Sequence, residues 1–249
     1  AAKNKFYASN TDLKGQRPGY LDLLLKEFRD STFIPYLQPL YSIQYDRVYG
    51  AEVLVRKIDP HGNIHPPVEF IRILEKEHMI SMVDLEMLCQ SCQLLQKWKA
   101  QWPDLVLNVN FSRNTLTEPD YLAQVDKIFA ETGVDPRRLI FEITESSQGI
   151  QLESLSSLLD ELKQRGVTIA IDDLGTEAAC LEMLYLPQIS VAKIDRSLIC
   201  KAEHSPREQT VIRHLIDLCH DLGMRCVAEG IETDSQIELL KQLGCCLLY

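Results

Sequence analysis

Short apolar runs rich in β-favouring residues alternate along most of the chain with longer stretches in which apolar residues recur at helical spacing. Eight such runs predict strands, at Pro35–Ile43, Tyr49–Lys57, Leu105–Phe111, Leu139–Thr144, Val167–Ile171, Val191–Ile194, Cys226–Ala228 and Cys246–Tyr249. The longer stretches predict helices at Pro67–Trp102, Pro119–Thr132, Gln151–Arg165, Pro206–Leu222 and Asp234–Leu243. This alternation is typical of an α/β protein with a parallel sheet, and eight strands favour a closed (β/α)8 barrel.

One connection departs from the regular barrel. Only about five residues, around Tyr45–Arg47, separate the first two predicted strands, whereas a parallel crossover needs a dozen or more. We therefore predict that the first strand pair is antiparallel. At the other end, the sequence stops at Tyr249 inside the predicted last strand, so we expect that the last barrel helix is missing through truncation.

The first 30 residues are expected to precede the barrel. They begin with a polar segment and continue into an amphipathic stretch, Tyr20–Phe28, which predicts a lead-in helix. The predicted domain organisation is a tail and lead-in helix over residues 1–30 and a barrel over residues 31–249.

Composition narrows the classes of protein that fit. With 249 residues and 45% hydrophobic content, the chain can bury a substantial core. Its 36 acidic and 26 basic residues give a net charge of −10, which argues against binding to duplex nucleic acid or anionic lipid. No apolar run reaches the ~20 residues of a membrane helix. We expect a soluble cytoplasmic domain, which sensory or membrane-anchoring domains of a longer protein could accompany.

The eight cysteines are scattered through apolar runs rather than arranged as a disulfide framework. They indicate buried thiols in a reducing compartment. Cys89 and Cys92 have the spacing of a zinc-binding pair, but they lie in a helical stretch without a second pair, which disfavours a zinc site.

Polar side chains interrupt or end six predicted strands, although barrel strands are normally continuous apolar runs. They are Glu52, Asn108, Asn110, Glu142, Asp172, Asp173, Lys193 and Glu229. One such residue would ordinarily be a solvated strand end. Several buried carboxylates that converge would repel one another unless cations lay among them. Ion pairs with Lys193 and Arg56 are one explanation, but two cations cannot neutralise five carboxylates, and divalent metals can.

The candidate ligands are carboxylates and an asparagine amide, without histidine or cysteine. An all-oxygen set suits Mg²⁺ or Mn²⁺ and disfavours zinc or copper. The adjacent Asp172 and Asp173 are well placed to reach two metal ions. Two ions ~4 Å apart activate water and stabilise both oxygens of a phosphoryl displacement, so the pattern predicts hydrolysis of a phosphodiester.

Six blocks of the chain resemble, in order and spacing, the motifs of EAL domains, the cyclic di-GMP phosphodiesterases of bacteria. They are Glu52–Arg56 after Gln38-Pro39, Val109–Ser112, Glu142–Glu145, Asp172–Thr176, Lys193–Asp195 and Ala228–Glu232. The similarity covers about residues 33 to 249. It implies a TIM-like barrel with an antiparallel first strand pair, two divalent cations, Mg²⁺ or Mn²⁺, and the conversion of cyclic di-GMP to linear pGpG.

The resemblance also implies roles for individual residues. The implied metal ligands are Glu52, Asn110, Glu142, Asp172 and Asp173. The implied catalytic residues are Lys193, which would orient the attacking water, Glu229, which would act as general base or support the second metal, and Glu52. The implied contacts with the dinucleotide are Gln38, Leu54 and Arg56, while Glu145 would brace the loop after Asp173.

Three positions depart from the family pattern. Val53 replaces the alanine of the family signature, residues 177–180 replace a glycine and small hydroxyl residues, and Tyr249 falls where many members have glutamine. Because the loop after Gly175 organises the metal site and often the dimer contact in this family, two hypotheses stay open. One is an active hydrolase, for which the resemblance implies a homodimer. The other is a weak or inactive EAL-type domain that binds cyclic di-GMP or a protein partner; an unrelated barrel hydrolase is a third, minor alternative.

Overall fold

The computed structural model describes residues 25–26, 29–43, 45–143, 152–175, 180–203, 205–245 and 247–248. Four predicted features lie outside these residues, namely the polar tail, Glu145, the altered loop at 177–179 and Tyr249. Within the predicted lead-in helix, residues 25 and 26 are described and are helical, as are residues 29 and 30 beyond it.

Within the described residues, nine strands form one sheet. They are β1 (Thr32–Ser42), β2 (Arg47–Ile58), β3 (Ile64–His65), β4 (Val106–Phe111), β5 (Leu139–Ile143), β6 (Thr168–Leu174), β7 (Ile189–Ile194), β8 (Arg225–Ala228) and β9 (Leu247–Leu248). The pairs from β2 to β4 and onward to β9 are parallel. β1 pairs antiparallel with both β2 and β9, which closes a ring of eight strands, and β3 adds a short hairpin to β2. The barrel prediction and the antiparallel first pair are confirmed.

The helices are α1 (Ile71–Lys76), α2 (Ile80–Lys97), α3 (Arg113–Leu116), α4 (Tyr121–Thr132), α5 (Leu152–Gln164), α6 (Cys180–Met183), α7 (Arg196–Ala202), α8 (Pro206–Asp221) and α9 (Asp234–Gln242), with short 3₁₀ turns at Pro67–Glu69 and Pro136–Arg138. The prediction of one helix over Pro67–Trp102 is wrong. The chain breaks at His78, whose φ of 53° is incompatible with a right-handed helix. Strand β3 and helices α3, α6 and α7 were not predicted, because two to seven residues are too few to show a period.

Apolar side chains pack on both faces of the strands, outside and inside the barrel. Outward-facing strand residues and the helices form the large core, while a small cluster fills the barrel interior. The interior cluster consists of Leu40, Val106, Ile140, Ala170, Val191 and Val227, one residue from each of six strands. Since side chains alternate between the two faces of a strand, the residues two positions along from these also face the interior. This layer therefore fixes which residues can line the barrel mouth.

Candidate active site

Six of the eight polar residues singled out in the sequence occupy the layer directly above the interior cluster. Asn108, Glu142, Asp172, Lys193 and Glu229 each lie two residues beyond a member of the interior cluster, toward the carboxyl end of their strand. Glu52 joins them from β2, where it pairs in register with Asn108. The barrel topology thus brings together side chains separated by up to 177 residues, from Glu52 to Glu229.

Lys193 lies at the centre of this layer, with its side chain 1% exposed. Its Nζ is 2.6 Å from Glu229 Oε1 and 2.9 Å from Glu142 Oε2. The same ammonium is 3.0 Å from Asp172 Oδ1 and 3.4 Å from Glu52 Oε2. We call these five residues the Lys193 cluster. One cation faces four carboxylates, so the cluster retains an excess of negative charge when all are ionised.

Two asparagine amides orient two of these carboxylates. Asn110 donates from Nδ2 to Glu52 Oε1 at 2.9 Å. Asn108, which is fully buried, donates to Glu142 Oε1 at 2.6 Å. Asn108 was noticed in the sequence but was not included among the candidate site residues. Its position two residues before Asn110, on the same strand face, is the signal that could have identified it.

Asp172, Asp173 and Glu229 form the group best suited to hold a metal ion among the residues that the structure describes. Each offers a carboxylate oxygen, and these oxygens lie within 4.8 Å of one another. Asp173 has a φ of 56°, and its backbone N–H donates to Asp172 Oδ1 at 3.0 Å. A left-handed backbone conformation at a non-glycine residue next to a site carboxylate is the kind of strain found at functional sites. Hard oxygen donors in this number fit Mg²⁺ or Mn²⁺.

Burial and mutual repulsion perturb the acid–base behaviour of the cluster. Burial raises the pKa of Glu142 to about 8, despite the opposing attraction of Lys193. Burial likewise raises the pKa of Glu229 to about 7. For Lys193, burial acts to lower the pKa, but the surrounding carboxylates outweigh it and raise this pKa well above its ordinary value. Lys193 therefore stays charged, and Glu142 and Glu229 are the groups of the metal-free site whose protonation changes near neutral pH.

These shifts predict how the stability of the metal-free protein depends on pH. Glu142 and Glu229 bind protons more tightly in the folded protein than at their ordinary pKa of 4.5, so between about pH 5 and 8 the folded state holds more protons than the unfolded state. The stability that protonation contributes is lost as pH rises through this window. We expect the melting temperature in EDTA to fall from pH 5 to pH 8, and the fall to be smaller in Glu142→Gln.

Added Mn²⁺ should raise the melting temperature more at pH 8 than at pH 5, because carboxylates bind metal in the deprotonated form. Thermal unfolding followed by circular dichroism at four pH values, with and without the metal, measures both effects. A melting temperature in EDTA that climbs steadily between pH 5 and pH 8 would contradict the pKa shifts of these two glutamates.

The predicted substrate contacts follow the antiparallel pair β1–β2 away from the Lys193 cluster. Gln38 pairs directly with Glu52, and Leu54 and Arg56 lie two and four residues beyond Glu52. Arg56 is thus ~13 Å from Glu52 along the strand. Its guanidinium lies 5.2 Å from the centre of the Tyr36 ring and donates to Val55 O at 2.9 Å. Each ion pair described for the Lys193 cluster involves Lys193. The hypothesis that Arg56 also neutralises these carboxylates is therefore not supported.

The cysteine pair of α2 does not form a metal site in the described part of the chain. Cys89 and Cys92 are free thiols, and burial raises the pKa of Cys92 to about 12. A thiol with so high a pKa is a poor source of the thiolate that zinc requires. Cys92, Cys219, Cys226 and Cys245 are buried, as the sequence predicted, whereas Cys89 and Cys200 are only half-buried.

Comparison with known proteins assigns the chain to a family. The model of the EAL domain matches residues 22–248. The chain belongs to the EAL domain family. Over 245 residues this EAL domain is 27% identical to the signaling protein YkoW of Bacillus subtilis (strain 168), and the match covers 98% of this chain but 31% of YkoW. It is 28% identical over 209 residues to the cyclic di-GMP phosphodiesterase PdeL of Escherichia coli (strain K12), which covers 84% of this chain and 58% of PdeL.

Solved structures agree with this assignment. The EAL domain superposes on the PaMucR phosphodiesterase in its c-di-GMP complex with a TM-score of 0.81 and 28% sequence identity, over 92% of this chain and 94% of that one. This EAL domain spans less than two thirds of the length of YkoW and PdeL. In the described residues, no helix has the length and apolar character needed to cross a membrane.

Proposed function

We propose that this EAL domain hydrolyses cyclic di-GMP to linear pGpG with the help of two bound divalent cations, Mg²⁺ or Mn²⁺. The observation that carries the proposal is the convergence of four carboxylates from separate strands on the buried ammonium of Lys193. Buried carboxylates in this number destabilise the folded protein unless cations neutralise their charge. The arrangement is therefore best explained as a site for cations and for the anionic substrate that they attract.

Five oxygen-bearing side chains would hold the cations, namely Glu52, Asn110, Glu142, Asp172 and Asp173. Bound divalent cations supply two kinds of chemistry in a phosphodiester hydrolysis, since they lower the pKa of water and neutralise the developing charge on phosphate oxygens. The amide contacts of Asn108 and Asn110 fix the glutamates in one orientation before any ligand arrives. Preorganised ligands avoid the cost of ordering flexible side chains at the time of binding.

Lys193 and Glu229 form the proposed acid–base pair. Their side chains are 2.6 Å apart, and Glu229 is the more exposed of the two. Lys193 would orient the attacking water, while Glu229 would accept its proton, which suits a carboxylate with a pKa of about 7. The phosphate would then be attacked in line with the departing ribose oxygen.

The strip of Gln38, Leu54 and Arg56 is the proposed binding surface for the dinucleotide. It combines an amide, an apolar side chain and a guanidinium, which can contact the hydrogen-bonding edge of a base, its face and a phosphate respectively. Two relatives support the choice of substrate. PdeL is named a cyclic di-GMP phosphodiesterase, and the PaMucR phosphodiesterase was solved in complex with c-di-GMP.

The decisive test separates an enzyme from a receptor. We expect the protein to convert cyclic di-GMP to pGpG in the presence of Mn²⁺ or Mg²⁺, and EDTA to abolish turnover. Liquid chromatography of the products and calorimetric titration of the nucleotide measure turnover and binding separately. Tight binding without any pGpG would overturn the enzyme proposal in favour of the receptor alternative.

Three further predictions concern features beyond the active site. The homodimer expected from the resemblance, the role of Glu145 and the division of the chain at residue 30 all stay predictions. Size-exclusion chromatography with light scattering tests the first of them directly.

A further inference from the structure

Asp84 is a buried acidic residue that lies outside the Lys193 cluster. It belongs to α2, which packs against the outer face of the barrel, and the whole residue is 7% exposed. Its Oδ2 accepts two hydrogen bonds, from the backbone N–H of Ser112 at 2.9 Å and from Thr115 Oγ1 at 2.5 Å. Both donors lie in the segment that follows β4. A single carboxylate thus ties α2 to the end of a barrel strand.

That strand carries a proposed metal ligand. Ser112 is two residues after Asn110 and directly precedes α3, while Thr115 lies inside α3 and is fully buried. The intervening residue, Phe111, faces the outer core, where its ring centre is 4.4 Å from that of Phe141. The backbone directly after Asn110 is consequently held at two points, by packing at Phe111 and by Asp84 at Ser112.

We propose that Asp84 is a positioning residue for the metal site, because it fixes the end of β4 and thereby the amide of Asn110 beside Glu52. The inference rests on the proposed function of that site. In its present position the amide nitrogen of Asn110 is 2.9 Å from Glu52 Oε1. Loss of the anchor at Ser112 would free the segment after β4 to shift, and a shift of ~1 Å is enough to impair a preorganised site.

The energetics favour a positioning role over simple packing. A buried carboxyl group costs free energy that an apolar side chain would not, and burial raises the pKa of Asp84 to about 7. The two accepted hydrogen bonds offset part of that cost. An apolar residue could not accept a directional hydrogen bond from the backbone N–H of Ser112. Asp84 therefore contributes by fixing the position of the segment after β4.

Three variants test this inference. Asp84→Ala removes both accepted hydrogen bonds, whereas Asp84→Asn keeps an acceptor oxygen at the same place. Ser91→Ala is the matched control, because Ser91 is fully buried on the same helix but donates to Met87 O within that helix, at 2.6 Å. Mn²⁺ binding is measured by calorimetry without nucleotide. The side-chain amide resonance of Asn110, assigned with Asn110→Ser, is recorded in metal-free protein.

We expect Asp84→Ala to weaken Mn²⁺ binding about 10- to 100-fold and to move the Asn110 amide resonance. Asp84→Asn and Ser91→Ala should leave both close to wild type, even where Ser91→Ala lowers the melting temperature. An unmoved Asn110 resonance in Asp84→Ala, or an equal change in Ser91→Ala, would overturn the inference.

If Asp84→Ala does not fold, Thr115→Val removes one of the two hydrogen bonds and should produce a smaller change of the same kind; no change would overturn the inference. Protein that binds Mn²⁺ without hydrolysing cyclic di-GMP would refute the proposed function and leave the positioning role standing. The resonance of Asn110 reports on positioning even if wild-type protein does not bind Mn²⁺.

Discussion

Lys193→Met should abolish most of the phosphodiesterase activity and destabilise the metal-free protein. The substitution leaves Glu52, Glu142, Asp172 and Glu229 without the buried ammonium that all four contact at 2.6–3.4 Å. Removing one partner of a buried ion pair typically costs about 3–5 kcal/mol. Loss of the group that orients the attacking water should lower kcat by about 10²- to 10⁴-fold.

A surface variant provides the control for Lys193→Met. Lys241 also forms an ion pair, with Glu238 at 2.8 Å, but both side chains are largely exposed, so Lys241→Met should change stability by less than about 0.5 kcal/mol. Denaturant unfolding in EDTA and steady-state kinetics with Mn²⁺ measure the two effects. Wild-type kcat in Lys193→Met would rule out the proposed role of Lys193.

Glu52→Gln should lower kcat by at least about 10²-fold and weaken the binding of divalent cations. Glutamine keeps the shape of the side chain and can still accept the hydrogen bond from Asn110, whose Nδ2 is 2.9 Å from Glu52 Oε1. It removes the negative charge, however, and therefore the attraction for a cation. The Michaelis constant for cyclic di-GMP should change much less than kcat, because Gln38, Leu54 and Arg56 are untouched.

Glu161→Gln is the matched control for Glu52→Gln. Glu161 is a half-exposed glutamate on α5 that pairs with Arg165 at 2.9 Å, and it is not one of the proposed metal ligands. We expect wild-type kinetics from it. Titration of activity with Mn²⁺ should show a higher half-saturating concentration for Glu52→Gln alone, and equal metal dependence in all three proteins would show that Glu52 is not a ligand.

Much of the fold was predictable because barrel strands carry a strong local signal. Glu52 and Glu142 were recognised because they interrupt apolar strands, and the short link around Tyr45 required an antiparallel first pair, which the register of Gln38 with Glu52 confirms. Parallel strands bring their carboxyl ends to one edge, so side chains far apart in sequence were expected to meet. The family motifs added the order of the blocks, which the match over residues 22–248 confirms.

Other features depend on tertiary contacts, which cannot be predicted from the local sequence pattern. That Lys193 would contact four carboxylates follows from its depth in the barrel rather than from its neighbours in sequence. Arg56 was considered as a second cation for these carboxylates, yet its position farther along β2 places it over Tyr36. Asp84 gave no signal, because a single acidic residue in a helical stretch ordinarily faces solvent. The helix break at His78 was likewise not predictable, because it is a positive φ at one residue and does not change the spacing of apolar residues.

The most direct test of the central claim is to follow cyclic di-GMP in ¹⁸O-labelled water with Mn²⁺ and the wild-type protein. Mass spectrometry of the products reports whether a water oxygen has entered a phosphate. We expect linear pGpG that carries one ¹⁸O atom in its terminal phosphate. Recovery of unchanged, unlabelled cyclic di-GMP at protein concentrations that bind it fully would contradict the claim.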